Sequence, residues 1–195
     1  MRRFLYLLLL FIVGCGPSTE SIPLIDGMVD NFNDGNRAND LGYEWTSVSG
    51  GGETNATIFI NPGGVDDRSI YELLIGGTRP FGSSGSQVSG ARVALGSSSK
   101  TANVTAYEGL EISMRGTPGS YIIQIGSAAI TDHDYYNSYV EVTERWNVFQ
   151  IPFGLFLQEG FGTDRTLTRH DLTHIAIYSN ITGPYNLAVD NVRFY

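Results

Sequence analysis

Lysine is almost absent from this chain of 195 residues: Lys100 is the only one. Twelve basic residues stand against twenty acidic ones, for a formal net charge of −8. No basic cluster is present to neutralise phosphates, so nucleic acid is excluded as a partner. Cysteine is equally scarce. Cys15 stands alone, so no disulfide can form within the chain. Long apolar runs are missing too. The longest, Phe4 to Val13, covers ten residues, half of what a bilayer-spanning helix needs. Helical periodicity is also lacking, with one turn at most between Gly154 and Gln158.

What the chain does have is 24 glycines, 11 tyrosines and 10 phenylalanines. Short alternating or apolar runs separated by turn residues predict an all-β fold of about ten antiparallel strands. They fall at Met28–Phe32, Glu53–Ile60, Ser69–Ile75, Ser89–Leu95, Leu110–Arg115, Tyr121–Gly126, Tyr139–Val142, Arg145–Ile151, His174–Tyr178 and Tyr185–Val189. Asn33-Asp34-Gly35 and Asn61-Pro62-Gly63-Gly64 supply turns. In Arg145 to Ile151, Trp146, Val148 and Gln150 alternate with Asn147, Phe149 and Ile151, which predicts a strand covered on both faces. Residues 76–90, rich in Gly and Ser, form the longest loop candidate.

The first residues carry their own pattern. Met1-Arg2-Arg3 precedes the apolar run, which ends in Ile12-Val13-Gly14-Cys15. This resembles a bacterial lipobox, and the resemblance implies that residues 1–14 are a signal peptide and that Cys15 is lipidated. Residues 15–26 are then a tether and 27–195 a single domain, held at the outer membrane or cell surface by a lipid anchor. Removing Arg2 and Arg3 takes the net charge from −8 to about −10 by the same count.

Met28-Val29-Asp30-Asn31-Phe32-Asn33-Asp34-Gly35, Trp146 with Ile151-Pro152-Phe153, Ile175-Ala176-Ile177-Tyr178 and Val189-Asp190-Asn191-Val192 resemble family 11 carbohydrate-binding modules. Tyr107-Glu108-Gly109-Leu110 is similar to a signature of the complex I intermediate-associated protein 30 family. Both resemblances imply a galactose-binding-like jelly-roll β-sandwich. The first implies a structural Ca²⁺ at Asp30 and Asp190, although Asn33 stands where the family usually has Glu. It also implies a sugar-binding face with Tyr178 and Tyr139. Arg115, Asp132 and Asp134 are candidates to hydrogen-bond hydroxyls there. Val48 replaces the family's stacking aromatic, so specificity for β-glucan does not transfer.

The resulting expectation is a carbohydrate-binding lipoprotein that is not an enzyme, with a polysaccharide or oligosaccharide as partner. A protein partner, as for an assembly factor, is the alternative, and a glycan-modifying enzyme is the third. His170 and His174 lack the Glu and helix of a zinc-protease motif. Gly82-Ser83-Ser84-Gly85 lacks the strand and helix of a nucleophile elbow, and no motif places a carboxylate pair.

Overall fold

The computed structural model describes residues 20–24, 26–81 and 87–195. Its thirteen strands form two sheets packed face to face, with one 3-10 turn at Phe153–Leu155. In chain order they are β1 (Glu20–Pro23), β2 (Met28–Asp30), β3 (Thr46–Ser49), β4 (Asn55–Pro62), β5 (Tyr71–Arg79), β6 (Ser89–Ala94) and β7 (Lys100–Asn103). Then follow β8 (Gly109–Gly116), β9 (Gly119–Ser127), β10 (Tyr136–Val142), β11 (Asn147–Pro152), β12 (Leu172–Ser179) and β13 (Gly183–Phe194). Sheet A runs β3–β6–β12–β9–β10, with β7 meeting the start of β12 and β1 beyond it. Sheet B runs β4–β5–β13–β8–β11, and β2 pairs with the end of β13.

The jelly-roll sandwich expected from the sequence is therefore the fold. Three strands escaped the reading. β1 lies in the stretch read as tether and pairs in parallel with β7, the one departure from antiparallel pairing. β3 and β7 are four residues each and too short to show a period. Part of the 76–90 loop candidate is strand, since β5 runs to Arg79, and residues 82–86 lie outside the described ones.

Alternation explains the core. In β12, Ile175 and Ile177 point inward, and in β8 Leu110, Ile112 and Met114 do; all are fully buried between the sheets. The stretch Arg145 to Ile151 needs a correction. β11 is the edge strand of sheet B, and Val148 is 57% exposed, so one face of it meets solvent. Its apolar outer residues imitated a covered strand.

The first strands hang on one aromatic pair. Trp45 is fully buried and sits 5.8 Å from the ring of Phe32, and its indole N–H donates to Asp30 Oδ2 at 2.8 Å. Asp30 Oδ1 accepts the Phe32 N–H at 2.7 Å. Phe32 itself lies in the left-handed region, at φ 56°.

Candidate sugar-binding face

The outer face of sheet A gathers side chains from five strands in two rows. β12 sends Ile175 and Ile177 inward, which leaves His174, Ala176 and Tyr178 on the outer side. Register then fixes the neighbours. Tyr178 is opposite Ile122 of β9, and Ile122 is opposite Tyr139 of β10. On the other side Tyr178 is opposite Gly90 of β6, which faces Val48 of β3. The second row is Thr46, Arg92, Ala176, Gln124 and Asn137. Two strand spacings of about 4.8 Å separate Tyr178 from Tyr139, so roughly 10 Å lies between their backbones.

The two tyrosines differ in access. Tyr139 is 56% exposed, whereas Tyr178 is 7% exposed and lies low in the floor. Burial pushes the Tyr178 hydroxyl up in pKa, with Arg92 pulling the other way. Burial and then the Glu159 carboxylate beside it push the Tyr139 hydroxyl up. Both rings therefore present neutral hydroxyls, able to donate and to accept. His174 is sealed beneath the edge of Tyr135, 4.7 Å between ring centres, and burial drives its pKa down to about 3. It is a neutral imidazole held by Thr173 Oγ1 at 3.0 Å.

Asp132 and Asp134 act at one remove from this face. Asp134 is 1% exposed, and its carboxylate accepts the N–H groups of Glu159, Gly160 and Gly162 at 2.9, 3.0 and 3.0 Å. Asp132 Oδ2 accepts the Thr163 N–H at 2.7 Å, and such hydrogen bonds hold its carboxyl below the ordinary Asp range. Together they clasp the 159–163 loop. Leu157 extends the clasp by bridging to Asn137 on the outer side of β10. The result is that Glu159 Oε1 reaches Asn137 Nδ2 at 3.1 Å, and Asn137 Oδ1 accepts from Gln124 Nε2 at 3.0 Å. These two aspartates hold the wall of the face; their oxygens are taken by backbone N–H groups rather than offered to a sugar.

Arg115 is on the other sheet. It projects from the outer face of β8, where its Nη2 meets both carboxylate oxygens of the buried Glu72 at 3.1 and 3.2 Å. Its guanidinium lies 5.1 Å over the Trp146 ring. A groove of about 460 Å³ beside it is lined by Leu74, Pro118, Asn186 and Ala188. The structure thus brings Tyr178 and Tyr139 together and sets Arg115 apart. Sequence reasoning missed Arg92, Gln124, Asn137 and Glu159. Arg92 was legible from alternation, since Ala91 and Val93 on either side of it are core residues. Glu159 was not, because only the clasp brings it to β10.

Asp30 and Asp190 lie near each other in chain pairing, Asp30 being opposite Val192 of β13. Burial pushes Asp30 up to about 7, against the pull of its two hydrogen bonds. Asp190 Oδ1 accepts from Asn191 N and Oδ2 from Val65 N, at 2.7 and 2.9 Å. Asn33 Oδ1 accepts from Ile70 N at 2.7 Å. No group of three or more His, Cys, Asp or Glu side chains gathers anywhere among the described residues. Each carboxylate oxygen of Asp30 and Asp190 accepts one N–H and keeps a further lone pair. Cys15 lies outside the described residues. No helix among them is long and apolar enough to cross a membrane.

No family model matches the chain, and no curated protein does. Solved structures do match. One is the family 11 carbohydrate-binding module of the cellulosomal cellulase Lic26A-Cel5E of Clostridium thermocellum. Its TM-score is 0.63 at 16% sequence identity, over 86% of this chain and 92% of that one. A family 11 module from the same organism, in complex with a beta-1,3-1,4-mixed-linked tetrasaccharide, matches at 0.63 and 16%, over 86% and 94%. The family 30 module of a cellulosomal cellulase of Clostridium thermocellum matches at 0.56 and 15%, over 77% and 90%. This chain shares the jelly-roll fold of carbohydrate-binding modules.

Proposed function

We propose that the chain binds a polysaccharide or oligosaccharide, without cleaving it, on the outer face of sheet A. The observation that carries this reading is the row Tyr178, Ile122, Tyr139 on three adjacent strands. An exposed tyrosine offers a flat apolar face to sugar C–H groups and a hydroxyl to their O–H groups. Asn137, Gln124 and Glu159 add oriented polar atoms beside it. The structural likeness to family 11 and family 30 modules supports the same reading at the level of the fold.

The test is a glycan array with the whole chain in detergent, followed by titration of the best hit. Tyr139→Ala is expected to weaken binding by about 1–3 kcal/mol, the scale of an anchor residue, while Tm stays within about 1 °C. Tyr178→Ala should lower both, because that ring is also packed. No hit from a folded sample, or unchanged affinity in Tyr139→Ala, overturns the reading.

Display at a membrane through Cys15 belongs to the same proposal. Each buried CH₂ contributes about 0.8 kcal/mol, so two or more acyl chains hold a domain of this size stably. Cys15→Ser is expected to move the protein from the membrane fraction to the soluble one; a variant still wholly in the membrane fraction places the anchor elsewhere.

A structural calcium at Asp30 and Asp190 stays a proposal with a direct test. EDTA is expected to lower Tm and added Ca²⁺ to restore it, an effect that Asp190→Ala abolishes; an unchanged Tm in EDTA overturns the ion.

A further inference from the structure

Resting on the glycan-binding reading above, we infer that the outer face of sheet A takes an acidic polysaccharide, one whose rings carry carboxylates, and that Arg92 holds the carboxylate. β6 turns Ala91 and Val93 into the core and Arg92 out to solvent. Its neighbours across the ladders are Thr46 of β3 and Ala176 of β12, both short side chains. The guanidinium has room to lie over the floor between them.

Most other cations among the described residues are engaged, although Arg145 and Arg165, like Arg92, form no ion pair. Arg37, Arg68, Lys100, Arg115 and Arg193 each pair with a carboxylate. Arg79 bonds Asn180 and the Gln87 carbonyl, and Arg169 bonds the Tyr107 carbonyl. Arg92 has neither a carboxylate nor a carbonyl partner among the described residues, although the chain carries a net charge of −8. Its charge is nevertheless felt across the face, since it helps hold the buried His174 neutral and opposes the upward shift at Tyr178.

On the near side Glu44, two residues before Thr46, is paired with Arg37, and the other acids of this face stand at its far side. Glu141 and the Glu159-bonded Asn137 belong to β10, three strand spacings from β6, or about 14 Å. The face is therefore positive at β6 and negative at β10. A guanidinium presents a planar fork that matches a carboxylate in two parallel hydrogen bonds. A uronate ring over Arg92 fills that fork, and the next rings run toward Tyr139. A neutral polymer leaves the fork to single hydroxyls.

The experiment titrates the whole chain with oligogalacturonate and with alginate oligomers, each beside its carboxyl-reduced neutral counterpart, and with a sulfated galactan. At low salt the uronate is expected to bind about tenfold more tightly than its reduced form, the advantage shrinking as salt rises. Arg92→Ala should erase that preference with Tm unchanged, and Arg92→Lys should keep part of it. Equal binding of the reduced form, or a preference that survives Arg92→Ala, overturns the acidic assignment and leaves glycan binding intact. A preference for the sulfated galactan over both uronates overturns the carboxylate in particular. Failure of a folded sample to bind any glycan overturns both readings.

Discussion

Trp45→Ala is expected to lower stability by about 3–5 kcal/mol, the range for emptying a buried aromatic site. Trp45 is a fully buried side chain among the largest in the core. The loss also strips Asp30 Oδ2 of its indole N–H while the carboxylate remains buried. Native domains hold only about 5–15 kcal/mol in total, so this one change removes a large share. For a chain of this size the fall in Tm should be about 10 °C or more. Circular dichroism melts check it, with Trp45→Phe as the companion. Phe keeps most of the ring and loses the N–H, so its cost should be about 1–3 kcal/mol. Melting of Trp45→Ala within about 2 °C of the parent chain would show that β2 and β3 are held by other contacts.

Asp134→Ala should do two things at once. Three backbone N–H groups lose a buried, charged acceptor. Hydrogen bonds to charged groups contribute about 1.5–3 kcal/mol each and do not simply add, so a total near 3–4 kcal/mol is expected. The same change frees the 159–163 loop and takes Glu159 from Asn137 and Tyr139. Affinity for the glycan should therefore fall about tenfold although Asp134 touches no ligand. Asp134→Asn, which keeps one acceptor oxygen, should fall between. Thermal melts and titration of the same samples separate this from Tyr139→Ala, which lowers affinity alone. Full affinity in a destabilised Asp134→Ala would remove Glu159 from the site.

The sequence carried the fold well where strands are central. β8 alternates over Leu110 to Arg115 and β12 carries the apolar run Ile175 to Tyr178, so their existence was plain. Edge strands were harder, because a side chain at an edge answers to local neighbours rather than to a buried face. β11 exposes Val148 and so imitated a covered strand, while β1, β3 and β7 are too short for any period to register. Half of the candidate face was legible. Tyr178 and Tyr139 came from the family resemblance, and the inward Ile175 and Ile177 beside Tyr178 agree with its outward direction. Arg115 was a candidate for the face, but the outward alternation of its strand names a side of a sheet and not which sheet. Asp132 and Asp134 were noticed as loop acids. That they accept N–H groups from a segment some 25 residues downstream depends on long-range pairing that no local pattern carries.

The left-handed backbone of Phe32 bears on how this sequence can change over generations. A bulky residue in that region costs on the order of 1–3 kcal/mol, which the ring's full burial and contact with Trp45 offset. Glycine would relax the backbone and empty the core. Asparagine would relax it and bury an amide against an indole. Valine or isoleucine would fill less space and fit the conformation worse. Every single step away from Phe32 is downhill, so drift at this position has to proceed in pairs, with Trp45 or Asp30 changing alongside it. Relatives that differ here should differ at one of those two positions as well.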